Sequence, residues 1–221
     1  MQAPLQLPGA RVWWVDLTTE PPPAHCAWLD DEERAKAARF VFEADARRYR
    51  AAHIALRGRL GALLDVPPAS LRYALSAEGK PRLLGHDIAF NLSHCGELAA
   101  IAVADAAPAI GADIERLRRV DDLDALAQRC FTAAEQRELA ACGDSRDTLF
   151  LQGWTRKEAC LKAVGCGLSL EPANVEAGLA ARPAEVMLEW DDRLHQLQLL
   201  SFREGDTIGA IALRLPSAAG G

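Results

Sequence analysis

Asp113 and Glu115 stand two residues apart in Gly111-Ala112-Asp113-Ile114-Glu115, a segment whose alternation reads as a strand. Successive strand side chains point to opposite faces, so both carboxylates share one face while Ile114 turns into the core. Carboxylates side by side repel unless a cation lies between them. A hard ion such as Mg²⁺ meets that need, taking one or two carboxylates and filling its other positions with phosphate oxygens and water. A polar strand end with solvated acids shows the same pattern.

A second constellation lies in Trp154-Thr155-Arg156-Lys157-Glu158-Ala159-Cys160-Leu161-Lys162. Trp154, Glu158 and Lys162 are four residues apart and share one face of a helix. A Glu preceding a Lys at this spacing is ordinarily a surface pair worth a few tenths of a kcal/mol. The exit Gly165-Cys166-Gly167 fixes where the helix stops and lets other backbone come close. In the third, Phe90-Asn91-Leu92-Ser93-His94, a hydroxyl and an imidazole precede a turn at Cys95-Gly96. Neighbours on a strand face opposite ways, so Ser93 and His94 do not make a nucleophile and base for each other. Both can donate to a phosphate.

These residues need elements to hold them. Arg11 to Leu17 reads as a strand, and Asp30 with Glu33 as a capping box opening a short helix that ends near Phe40. Tyr49, Leu56, Leu60 and Leu63 recur at helical spacing, predicting a long helix from Glu43 to Leu64 that Asp65-Val66-Pro67-Pro68 stops. Strands follow over Arg72 to Ser76, Ile88 to Ser93 and Leu98 to Ala104, with a turn at Gly79-Lys80-Pro81. Residues 105–109 read as a linker. A second round then runs from a strand at Ile110 to Arg116, through a capping box at Thr132 and Glu135 and a major helix from Arg146 to Val164, to strands over Val186 to Trp190, Leu194 to Ser201 and Ile208 to Leu213. A Ser/Ala/Gly tail is expected to fray. Ala100-Ile101-Ala102-Val103 is echoed by Ala210-Ile211-Ala212-Leu213. With the repeated order of elements, the echo predicts an α+β fold of two similar halves about a pseudo-twofold axis, residues 1–105 and 106–221, the second carrying the carboxylates.

Composition narrows the classes of function. Of 221 residues, 50% are hydrophobic and 25% charged, which suits a folded globular chain. The net charge of −6, carried mainly by the second half, disfavours nucleic acid as a partner. Arg34 to Arg59 holds eight basic residues against Glu43 and Asp45, a segment that could hold an anion or present a solvated helix face. The longest apolar run, Leu98 to Ala104, is far short of the ~20 residues of a membrane span, and Met1 to Gly9 lacks the basic start of a signal peptide. The expectation is therefore a cytoplasmic protein with no membrane partner. Its six cysteines lack any CxxC pair and read as reduced thiols.

Gly79-Lys80-Pro81, Phe90 to His94, Gly111 to Glu115, and Trp154 to Lys162 with Gly165 and Gly167 stand in the order and spacing of the Sfp-type 4'-phosphopantetheinyl transferases. The chain resembles that family over most of its length, upstream through Arg39-Phe40 and Asp45 to Arg48 and downstream through Phe131-Thr132. The resemblance implies a monomer of two α+β halves. It implies Mg²⁺ held by Asp113, Glu115 and Glu158, with Lys162 on the pyrophosphate of coenzyme A. Lys36, Arg48, Lys80, Pro81, Ser93 and His94 would meet the adenosine and phosphate groups of the same substrate. The implied reaction moves the 4'-phosphopantetheine arm to a serine of an apo acyl or peptidyl carrier protein, with Glu158 and Lys162 as the catalytic pair. The alternative is a non-catalytic coenzyme A or carrier-binding module, which would have lost an acidic position. A different phosphotransferase is disfavoured because no GxxxxGK[ST] loop is present.

Overall fold

The computed structural model describes residues 3–77 and 79–216, so most of the expected frayed tail lies outside the described residues. The first half runs β1 (Leu5–Leu7), β2 (Ala10–Asp16), α1 (Pro23–Cys26), α2 (Asp31–Ala37), α3 (Glu43–Leu64), β3 (Tyr73–Leu75), β4 (Pro81–Leu83), β5 (Phe90–Cys95) and β6 (Leu98–Ala104). The second runs β7 (Ala109–Arg116), α4 (Leu123–Cys130), α5 (Ala133–Ala140), α6 (Arg146–Val164), β8 (Ala184–Trp190), β9 (Arg193–Glu204) and β10 (Thr207–Arg214). Both capping boxes form: Asp30 with Glu33 opens α2, and Thr132 with Glu135 opens α5. The Pro67-Pro68 stop acts as expected, and α3 ends with Asp65 in the left-handed region.

Each half builds an antiparallel four-stranded sheet, in the orders β1-β2-β6-β5 and β7-β10-β9-β8. In both, the strand that precedes the long helix pairs with the last strand, and the last two strands form a hairpin. This shared order is what makes the halves alike. The tetrapeptide echo falls on the equivalent strands β6 and β10, but its faces are exchanged. Ile101 and Val103 pack toward α3 with Leu56 and Leu60, whereas Ile211 and Leu213 pack toward the other sheet against Ala100 and Ala102. Ala210 and Ala212 lie toward α6. The chain therefore stacks in four layers: α3, first sheet, second sheet, α6. Each central strand is covered on both faces, which is why β6 and β10 are apolar almost throughout.

The basic segment of α2 and α3 is largely neutralised from within. Arg57 is fully buried, with Asp30 at 2.5 Å and Glu33 at 2.7 Å. Arg50 pairs with Glu20 and Glu43, and Arg34 with Asp31. The segment that could hold an anion or present a solvated helix face thus also ties α3 to its neighbours through Arg50 and Arg57.

Candidate active site

The seam between β7 and α6 holds the carboxylates. Gly111 makes it possible: a Cβ there would lie 2.1 Å from the Ala159 carbonyl oxygen and 2.3 Å from the Ala163 nitrogen, so the helix backbone rests directly on the strand. Ile110, Ala112 and Ile114 face the first sheet, leaving Asp113 and Glu115 on the α6 side, as the alternation predicts. Glu158 and Lys162 come down onto them from α6. Lys162 Nζ lies 2.6 Å from Asp113 Oδ1 and 4.0 Å from Glu158 Oε2, so its principal partner is across the seam rather than along its own helix. A surface i,i+4 pair does not describe this lysine.

The edge strand β5 closes the seam from the first half. Its alternate residues reach β7: Asn91 Oδ1 accepts from the Ala112 N–H at 2.9 Å, Ser93 Oγ donates to Asp113 Oδ1 at 3.0 Å, and Cys95 Sγ lies 3.7 Å from Glu115 Oε2. Ser93 is buried on that side. His94 is exposed on the opposite face, which separates the two as expected.

Three acids crowded in this way resist ionisation. Burial pushes the Asp113 carboxyl up, against the pull of Lys162 and Ser93. Burial and then the Asp113 charge raise Glu115. Glu158 is raised by burial first; Lys162 opposes this, while Asp113 and Glu115 reinforce it. Asp113 Oδ2 is buried with no hydrogen-bond partner. An orphaned carboxylate oxygen near two further acids offers oxygen donors of the kind hard cations take. Among the described residues no group of three or more His, Cys, Asp or Glu side chains is gathered into a ready-made metal cage. Magnesium does not ask for one, since substrate phosphates and water supply most of its ligands.

The raised Glu158 pKa carries a stability prediction. In the folded chain its proton is held more tightly than in the unfolded one, so ionisation at neutral pH costs stability. Glu158→Gln should therefore melt above wild type at pH 7, and the advantage should vanish as pH falls below the unfolded carboxylate value of about 4.3. Thermal melts across pH check this; a lower melting temperature at pH 7 would contradict it.

The other expected residues lie elsewhere. Lys36 is exposed, with its ammonium 5.2 Å from the centre of the Tyr49 ring. Arg48 is engaged by Asp45 at 2.7 Å and Glu97 at 2.5 Å. Lys80 turns inward from the β3–β4 turn, its Nζ donating to the carbonyls of Ile110 (3.1 Å), Lys162 (2.5 Å) and Ala163 (2.8 Å). It thus caps the C-terminal end of α6 and ties it to the start of β7. Burial pulls its pKa down to about 8. Pro81 follows at the exposed start of β4.

Arg156 and Lys157, which carry no assigned role in the sequence, are both buried. Arg156 donates to the carbonyls of Ala177, Gly178 and Arg182, and Lys157 to those of Pro172 and Val175. Glu135 pairs with Lys157 at 2.6 Å and accepts from the Ala177 and Gly178 N–H groups. Together they brace residues 172–182 against α6. The sequence of α6, which mixes polar and apolar residues all round, carries no signal for this; both cations are buried because neighbouring elements cover the helix on every side, and none of its residues is exposed.

The seam thus defines a class of site: acids and a lysine on a strand and a helix of one half, closed by an edge strand of the other. Comparison with known proteins shows the family. Residues 109–204 match the model of the 4'-phosphopantetheinyl transferase superfamily, and residues 22–106 match that of the 4'-phosphopantetheinyl transferase N-terminal region. The chain is 37% identical to the 4'-phosphopantetheinyl transferase HetI of Nostoc sp. over 74% of its own length and 73% of that protein's. It is 32% identical to the 4'-phosphopantetheinyl transferase psf-1 of Bacillus pumilus, over 67% of this chain and 63% of that one. The human L-aminoadipate-semialdehyde dehydrogenase-phosphopantetheinyl transferase is 26% identical over 88% of this chain and 72% of its own. The chain belongs to the 4'-phosphopantetheinyl transferase family.

Proposed function

We propose that this enzyme transfers the 4'-phosphopantetheine arm of coenzyme A to a serine of an apo acyl or peptidyl carrier protein, releasing adenosine 3',5'-bisphosphate. The observation that carries the reading is the orphaned Oδ2 of Asp113 beside Glu115, Glu158 and Lys162. Asp113, Glu115 and Glu158 would hold a magnesium ion, which when bound neutralises pyrophosphate charge. The carrier serine oxygen attacks the β-phosphorus, and the bond from that phosphorus to the oxygen bridging to the α-phosphate breaks. Glu158 takes the serine proton, a role its raised pKa suits. Lys162 swings from Asp113 toward the pyrophosphate and offsets the charge on the leaving oxygen. Ser93 orients Asp113; to donate to the substrate's phosphate it would turn its single O–H away from that carboxylate.

The nucleotide would lie along the first half, toward Lys36, Arg48 and His94. Because the Lys80 ammonium is spent on α6, the Gly79–Pro81 turn would meet the nucleotide through its backbone and Pro81. Lys80→Ala should then reduce turnover equally with coenzyme A and dephospho-coenzyme A. A smaller loss with the dephospho form would return Lys80 to the 3'-phosphate. We take residues 1–105 and 106–221 as the two halves, acting as a cytoplasmic monomer; no helix of the described residues is long and apolar enough to cross a membrane. A non-catalytic binding module is not favoured, since all three acidic positions are filled. The test is intact-mass analysis of a panel of apo carrier proteins incubated with the enzyme, coenzyme A and magnesium. A gain of one phosphopantetheine on at least one carrier supports the reading, and no gain on any overturns it.

A further inference from the structure

Arg47 and Arg48, near the start of α3, both turn to the β5–β6 hairpin and share the Glu97 carboxylate, while Arg48 also keeps Asp45 at 2.7 Å on its Nη1. Glu97 Oε1 lies 2.5 Å from Nη2 and 3.0 Å from Nε of Arg48, and each Glu97 oxygen lies 3.2 Å from Nη2 of Arg47. The hairpin carrying it is anchored by the Leu17 N–H, which donates to the Glu97 carbonyl at 2.9 Å, and it turns at Gly96, where φ is +57°. The Arg48 and Glu97 side chains remain 30% and 37% exposed, so the pair is open to solvent. His94 belongs to the same neighbourhood. It pairs with Ala99 and lies on the face of β5 that Leu92 presents to Ala51 and Ala52 of α3, one turn beyond Arg47 and Arg48.

Two guanidiniums converging on one oxyanion at an accessible position is the geometry by which proteins hold a phosphate monoester. Here the oxyanion is the chain's own. The guanidiniums, Arg48 first, hold the Glu97 carboxyl below its ordinary value, so it competes as an anion at neutral pH. We infer that Glu97 is a built-in competitor for the 3'-phosphate of coenzyme A at Arg47 and Arg48, and so sets how tightly substrate and bisphosphate product are held. The inference rests on the reading of Arg48 as a phosphate contact. An exposed ion pair is weak, so a dianionic phosphate can displace the carboxylate. When the product leaves, Glu97 closes on the arginines again.

Calorimetric titration with adenosine 3',5'-bisphosphate tests this on wild type, Glu97→Gln, Arg48→Ala and the double variant, with adenosine 5'-monophosphate as the ligand lacking the 3'-phosphate. Glu97→Gln should bind the bisphosphate about twofold to fivefold more tightly, the scale of an exposed ion pair relieved. Arg48→Ala should bind it less tightly, and the gain from Glu97→Gln should shrink on that background. The monophosphate should not distinguish wild type from Glu97→Gln. In kinetics, the KM for coenzyme A should fall in Glu97→Gln while that for dephospho-coenzyme A holds. Unchanged or weaker bisphosphate binding by Glu97→Gln overturns the proposal, making the residue a brace for Arg48. An equal gain with the monophosphate overturns it as general charge relief. Full bisphosphate affinity in Arg48→Ala removes the reading beneath it, while carrier modification by the wild-type enzyme tests the proposed reaction separately.

Discussion

Asp113→Ala should lose carrier modification by at least about 10³, and Glu115→Ala by about 10² or more, the scale seen when a transition-state charge loses its electrostatic partner. Both acids lie on the α6 side of β7, but their surroundings differ. Asp113 is buried, accepts from Ser93, and faces Lys162 at 2.6 Å. Its removal takes away the orphaned oxygen and also leaves the Lys162 ammonium without its principal partner. Glu115 is more open, with the Cys95 thiol at 3.7 Å and Arg118 at 3.8 Å from its carboxyl. Removing it takes away one charge and disturbs little else. Asp113→Asn separates the effects, since the amide keeps an acceptor for Ser93 while losing the charge. It should fold as wild type and remain inactive. Magnesium titrations followed by melting temperature give a second readout: the wild type should be stabilised by magnesium with coenzyme A, and Asp113→Asn should not. Near-normal turnover by Asp113→Asn at saturating magnesium would sink the assignment of this strand to the metal.

Much of this site is legible in the chain because alternation and helical spacing are local. Asp113 and Glu115 share a face because strands alternate, and Glu158 and Lys162 share one because helices repeat every 3.6 residues. The long helices are readable from their apolar positions and stops, and α3 and α6 take the predicted bounds. What pairs across the fold is not local. That Lys162 prefers Asp113 to Glu158, that Lys80 caps α6 from the other half, and that Glu97 sits on two arginines depends on how the layers stack. No spacing rule encodes that. The short β1 escapes notice because Leu5-Gln6-Leu7 offers one alternation, too little to stand out. The echo between β6 and β10 marks the equivalent strands but not their faces, since a tetrapeptide of Ala and Ile fits either face of a doubly covered strand.

Gly111 was visible in the sequence as part of a motif, but its reason appears only with α6 in place. Gly111→Ala adds a methyl group 2.1 Å from the Ala159 oxygen, 2.3 Å from the Ala163 nitrogen and 2.8 Å from the Lys162 carbonyl carbon. All three are helix backbone, so no rotamer change relieves the contact. The helix must lift from β7, and Glu158 and Lys162 lift with it, away from Asp113. Overpacking of this kind costs about 1–3 kcal/mol or more, and a misplacement of about 1 Å at reacting groups costs about 10² in rate. The expected variant is therefore less stable, and its kcat falls by at least about 10² even where it remains folded. Gly58→Ala on α3 is the control. Its added methyl meets the Trp28 ring at 3.1 Å, a side chain at the protein's edge, and no catalytic group rides on that contact. It should change stability modestly and leave kcat near wild type. Turnover at the wild-type rate in Gly111→Ala would show that the close approach of α6 to β7 does not set the distance between the carboxylates and the lysine. Parallel loss of kcat in both glycine variants would trace the defect to general loosening of the fold rather than to the seam.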